Sequence, residues 1–165
     1  MSETVPTSWL VYCRPGFEND ALAEMQHHAA LNDVACEASY GEGWVSLTRL
    51  DGEPVNELHR QAAFKKLIFA RQSLAALPAL TLSRDDRLTA ILEQVKASRW
   101  NFEEIWHETP DTNDGKALAG LIKALTKPLE SMLKKRGALR RSAGARRLHI
   151  FWTDGDQVQL AMSFP

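Results

Sequence analysis

Ten cationic residues lie between Lys116 and Arg147, with a single acid, Glu130, among them. Lys116, Lys123, Lys127 and Lys134 follow one another at intervals of 7, 4 and 7 residues. At helical pitch that spacing draws one stripe, opposite the face marked by Leu118, Leu121, Ile122, Leu125, Leu129, Met132 and Leu133. Lys135, Arg136, Arg140, Arg141, Arg146 and Arg147 carry the charge onward through a loop rich in glycine, alanine and serine. A lysine stripe alone is what any solvated helix shows. Ordinary surfaces mix signs, however, and ten cations beside one acid make a surface for polyanions, of which nucleic acid is the commonest. Guanidinium groups suit phosphate because they donate two hydrogen bonds in a fixed fork. Contacts of this kind give register and salt-dependent affinity, with little discrimination between sequences.

No other set of residues forms a complete site. His27, His28, His59, His107 and His149 are scattered, with no H-x-x-x-H and no cysteine pair beside them, so no metal is expected. Cys13 and Cys36 read as small core residues. The acid pairs Asp85–Asp86 and Glu103–Glu104 are sequence neighbours, which cannot share a strand face, and read as solvated. Phe17, Tyr40, Trp44, Phe69, Phe151 and Trp152 could stack on bases, but most fall in apolar runs, where core packing is the stronger reading. Trp9 and Trp106 stay open between the two. There is no strand–G-x-G-x-x-G–helix loop, no G-x-S-x-G and no Walker loop, so no catalytic or cofactor-binding residue is expected.

Those cations need elements to position them. The net charge of −1 hides a segregation: residues 1–114 sum to −8, residues 115–147 to +9, and the remainder to −2. No apolar run reaches the ~20 residues that cross a bilayer, and Met1–Pro6 has no signal-peptide character, so cytoplasmic residence and no membrane partner are expected. Strand patterns over Trp9–Cys13, Val34–Tyr40, Trp44–Leu50 and Leu67–Leu77 alternate with helix patterns over Phe17–Ala30 and Pro54–Ala63. Gly41-Glu-Gly43 marks a hairpin between the middle two strands. The order β-α-β-β-α-β is the ferredoxin-like arrangement. Leu77–Ser83 reads as a connector. A second unit follows: a helix from Arg84 with Leu88, Ile91, Leu92 and Val95 on one face, a weak strand over Asn101–Thr109, and a capping loop over Pro110–Gly115. Asn113 or Asp114 is placed to cap a long helix over Lys116–Arg136, interrupted at Pro128 and closed by Gly137. Strands over Leu148–Trp152 and Val158–Met162 flank the hairpin signal Asp154-Gly155. The fold class is α+β, of the α/β sandwich type.

Specific wording then becomes informative. Tyr12–Glu18 (YCRPGFE), Leu67–Gln72 (LIFARQ), Asp86–Thr89 (DRLT) and Pro110–Asn113 (PDTN), followed by Thr126–Leu129 (TKPL) and Lys135–Gly137 (KRG), occur in that order. Together they resemble the type M family of bacterial large-subunit (23S) ribosomal RNA ribose 2′-O-methyltransferases, which modify a cytidine. The resemblance runs from about Trp9 to Phe164. It implies a ferredoxin-like domain over residues 1–77 and a THUMP-like RNA-binding domain over 78–165. It also implies a Rossmann-like methyltransferase domain, using S-adenosylmethionine, as a partner beyond the segment seen here. No catalytic residue and no cofactor are then expected within this chain, which on this reading is monomeric and inactive alone. Within the THUMP-like half, the ten cations become candidate RNA-binding residues for 23S-type ribosomal RNA. A protein-docking role for the same region, with little direct RNA contact, is the rival reading. Arg14 and Arg71 are expected to orient the ferredoxin-like domain.

Overall fold

In the computed structural model, residues 3–62 and 66–163 are described, and they fall into two units. The first comprises Val5–Pro78 with the short segment Pro110–Thr112. Its elements are β1 (Ser8–Cys13), α1 (Glu18–Leu31), β2 (Cys36–Gly41), β3 (Trp44–Arg49), α2 (Asn56–Gln61) and β4 (Ala70–Ala76). The strands lie in the order β2-β3-β1-β4, each pair antiparallel. That is the ferredoxin-like order, as expected.

The period of two along β1 explains the core. Trp9, Val11 and Cys13 share one face and join Ala21, Met25 and Ala29 of α1 and Leu58 of α2 in one buried cluster. Trp9, open in the sequence, is fully buried, and its indole N–H donates to Ser73 Oγ at 2.8 Å. Tyr40 departs from the core expectation: it is 62% exposed because β2 is the edge strand, with an almost wholly exposed burial pattern. Phe17, 39% exposed, stacks on Phe69 with ring centroids 5.9 Å apart. The hairpin needs both its glycines. A Cβ on Gly41 would meet the Trp44 indole at 2.5 Å, and Gly43 adopts φ +87°.

Two boundaries differ from expectation. The strand anticipated from Leu67 begins at Ala70, because the N–H groups of Ile68 and Phe69 donate to the Glu24 carboxylate of α1 instead of a ladder. The helix anticipated over Pro54–Ala63 spans Asn56–Gln61, and Ala63 lies outside the described residues. Arg71 donates to Asp111 at 2.9 Å, an ion pair that ties Pro110–Thr112 to this first unit.

The second unit comprises residues 3–4, Ala79–Thr109 and residues 113–163. It holds β5 (Leu80–Thr81), α3 (Arg87–Ser98), β6 (Glu104–Glu108), α4 (Asn113–Lys116), α5 (Ala119–Lys135), β7 (Arg147–Asp154) and β8 (Gln157–Ser163). β5 pairs antiparallel with β8, β8 antiparallel with β7, and β7 parallel with β6. The connector thus contributes a two-residue strand, and the weakly patterned segment before Thr109 becomes a parallel strand beside β7. The acid Asp86 is no idle surface charge. Its side chain caps α3 by accepting the Thr89 N–H at 3.2 Å and also accepts the Thr89 hydroxyl; the hydroxyl bond first, and then the amide bond, holds its carboxyl below the usual range.

The long helix is shorter than its pattern. Ala117 and Leu118 form a turn between α4 and α5, so Lys116 ends one helix and the other three stripe lysines ride the next. No side chain caps α5 at Leu118, against the expectation for Asn113 or Asp114. Pro128 lies inside α5 without dividing it. At the far end Gly137, at φ +77°, closes the helix as expected: its N–H donates to Lys134 O and that of Ala138 to Leu133 O. The apolar face is fully buried only at Leu129 and Leu133, while Met132 is 37% exposed.

Two measurements follow from this packing. Leu129→Ala removes a wholly buried side chain and should cost about 2–5 kcal/mol in a denaturant titration; a loss under ~1 kcal/mol would contradict the packing. Burial, and then the Glu18 charge, push the Cys13 thiol up to about 11. In the folded chain Cys13 should therefore stay unmodified by a thiol reagent at pH 8, and react once denaturant is added.

Candidate nucleic-acid interface

The second unit carries all ten predicted cations, and the structure sorts them by what their side chains touch. Lys116, Lys123, Lys127, Lys134, Lys135, Arg140 and Arg141 are exposed. Among the described residues these seven have no salt-bridge partner. Arg136, also exposed, makes a loose pair with Glu93 at 3.7 Å. Arg146 is half-buried and donates to Asn101 Oδ1 at 3.1 Å.

Arg147 is the most committed. Its guanidinium lies 3.5 Å from the Trp106 ring centroid and pairs with Glu104 at 3.4 Å, with only 17% of its side chain exposed. Glu104 also accepts the Trp106 indole N–H at 3.0 Å. Strand register causes this arrangement. In the parallel β6–β7 pair Glu104 lies beside Arg147 and Trp106 beside His149, so all four point to one face. Trp106, the second open tryptophan, is 42% exposed and forms half of this stack.

The arginine loop is held by backbone bonds that the sequence did not announce. Phe102 is fully buried, donates its N–H to Ala138 O and accepts that of Arg140, at 2.8 and 2.9 Å. Arg140 and Arg141 thereby join Lys134 around a depression of about 470 Å³. Glu103, Glu104 and Glu130 share its lining, so the sign there is mixed. Lys116 and Lys123 border a separate hollow of about 490 Å³ with His107. The stripe is therefore not one continuous row of charge but two local groups joined by the face of α5.

Sequence reasoning missed a buried histidine network. His149 Nδ1 is 2.5 Å from Glu108 Oε1 and Nε2 is 2.5 Å from Ser163 Oγ. With Nδ1–H donating to the carboxylate, Nε2 accepts the serine hydroxyl. The three residue types are those of an acyl-transfer triad, but His149 is wholly buried and meets the Trp106 ring edge-on. Buried polar groups need partners, and that need accounts for the arrangement. Only the parallel pairing of β6 and β7, invisible in sequence, brings positions 108 and 149 together.

Fold and surface together define the class: a ferredoxin-like unit followed by a THUMP-like unit with an exposed cationic tract. Among solved structures, a possible methylase from Clostridium difficile 630 has a similar fold (TM-score 0.55, 14% identity, covering 94% of this chain and 40% of that one). TrmN from Thermus thermophilus does too (TM-score 0.54, 19% identity, covering 94% and 45%). Residues 7–74 match the family model of the RlmM ferredoxin-like domain, and residues 86–164 that of the N-terminal region of ribosomal RNA large subunit methyltransferase M. The chain belongs to that family. The enzyme of this name from Chromohalobacter salexigens is 59% identical over 164 residues, which cover 97% of this chain and 46% of the relative. The chain thus spans about half the length of the curated relatives it matches.

The β6–β7 pair is the one parallel strand pair among the described residues, and β6 runs on into Thr109-Pro110-Asp111 with no glycine-rich turn to a helix. No helix among them is long and apolar enough to cross a membrane.

Burial lowers the pKa of His107, with the Glu130 charge opposing, and its Nδ1 accepts the Trp152 indole N–H at 3.1 Å. The unfolded chain then binds more protons than the folded one just below pH ~6.5, so stability is retained above that value and falls with pH through the window. The melting temperature should drop between pH 7.5 and 5, by less in His107→Gln. An NMR titration midpoint at or above 6.5 for His107 would contradict this.

Proposed function

We propose that the second unit holds ribosomal RNA by its phosphates, along Lys116, Lys123, Lys127, Lys134 and Lys135 and onto Arg140 and Arg141. Arg136 contributes once it leaves Glu93, while Arg146 and Arg147 chiefly brace the loop. The observation that carries this reading is the exposure of seven cations without salt-bridge partners, among the described residues, on one unit. In the whole protein, methyl transfer from S-adenosylmethionine to a cytidine ribose 2′-hydroxyl would fall to the part of its relatives that this chain does not span. The relatives' name, ribosomal RNA large subunit methyltransferase, supports the choice of RNA as the polyanion.

Titrating the chain with ribosomal RNA fragments at several salt concentrations tests the proposal. Affinity should fall steeply with salt, by about 0.7 log units per log unit of salt for each single-strand phosphate bound. Arg140→Ala with Arg141→Ala should weaken all fragments alike and make that slope shallower by about 0.7 for each phosphate let go. A salt-independent affinity, or no binding at low salt, would sink the reading. If replacing Arg140, Arg141, Arg146 and Arg147 together changed nothing, protein docking would become the better account.

A further inference from the structure

A groove of the second unit lies off the predicted tract, between the C-terminal ends of α3 and α5. It encloses about 480 Å³, within the roughly 300–1,000 Å³ that ligand sites occupy. Leu92, Val95 and Leu133, all buried, make its floor. Its rim carries Lys96, Arg99, Arg136 and Arg140 against one carboxylate, Glu93, and its wall includes the half-buried Trp100. Among the described residues Lys96, Arg99 and Arg140 have no salt-bridge partner. Arg99 ends α3 at φ +59°, a position where glycine is usual, and from there the chain turns through Trp100 into the groove wall.

We infer that this groove receives an unstacked nucleotide of an RNA loop, the base against Trp100 and the apolar floor, the flanking phosphates on the cationic rim. The inference rests on the phosphate-holding reading and adds to it. Arg140 borders both this groove and the depression shared with Lys134 and Arg141, so a strand following the tract is led to it. An apolar floor and an aromatic wall offer nothing to a duplex, whose bases are already stacked and paired. They suit a splayed base, which stacks on an aromatic ring whatever its identity. Four cations against one acid fit the phosphates on either side of it.

The test compares two RNAs bound by the full chain: a hairpin with an unpaired loop, and a fully paired duplex of the same length. Lys96→Gln with Arg99→Asn keeps a residue that tolerates the left-handed backbone; Trp100→Leu removes the ring. Each variant should weaken the looped RNA about tenfold, the scale of one base–aromatic stack, and the duplex less than about twofold. A 4-thiouridine in the loop should crosslink within residues 96–100. Unchanged duplex affinity reports that a variant is folded, and the Lys96/Arg99 pair decides the matter if Trp100→Leu is not. Equal losses on both RNAs, or no crosslink there, would overturn the groove while leaving the phosphate tract standing. Failure of the unaltered chain to bind either RNA at low salt would overturn both. Displacement of looped RNA by an acidic peptide of equal charge, at equal concentration, would reassign the groove to protein.

Discussion

Like charges repel, and a segment with ten cations and one acid must be held together by something stronger than their repulsion. Two exposed lysines about 10 Å apart in water cost only ~0.4 kcal/mol, and physiological salt screens much of that. One fully buried leucine contributes roughly 1.5–3 kcal/mol. Leu129 and Leu133, with 0% and 1% exposure, and Phe102 beneath the loop therefore outweigh the pairwise repulsion. That margin lets the cations stay solvated instead of paired. The anchors sit towards the C-terminal end of α5, and the apolar face is only half-buried over Leu118–Leu125.

The arginines show how one residue type divides between structure and binding. Arg147 opens β7, where register sets it beside Glu104 and against Trp106. Its charge is already stacked and paired. Arg140 and Arg141 lie six or seven residues earlier, in a loop whose backbone is bonded to Phe102 while, among the described residues, no acid engages its side chains. A fixed backbone under a free guanidinium lowers the entropic cost of meeting a phosphate, because only the side chain remains to be ordered. Composition assigned these residues one role; burial and pairing assign them two.

Much of this was legible in the sequence. The ferredoxin-like order followed from short apolar strands alternating with amphipathic helices, and Gly137 marked the end of α5. What was hidden was long-range. The strand before Ala70 failed because Glu24, more than forty residues away, takes the Ile68 and Phe69 amides. Pro110–Thr112 goes with the first unit through Arg71 and Asp111, a pairing no local pattern encodes. Lys96, Arg99 and Trp100 escaped notice for a related reason. Counting charge along the chain placed them in a stretch of net −8, although folding sets them beside Arg136 and Arg140. Charge segregation in sequence finds a tract, whereas a pocket is assembled from separate tracts.

The two solved structures named above are 14% and 19% identical to this chain, so what they share with it is backbone arrangement. A fold of this kind supplies a platform, and recognition must come from the side chains placed on it. On this platform the two sorts of contact are chemically distinct. On the proposed reading, exposed lysines and arginines would meet a phosphate chain of any sequence, at long range and with strong dependence on salt. The groove beside Trp100 offers apolar area that, on the proposed reading, would take an unpaired base, at short range and with little dependence on salt beyond its rim. A surface with the first alone would slide along any polyanion. Adding the second would make the tract prefer RNA that can present a base out of its stack, a selection for structure before any base edge is read.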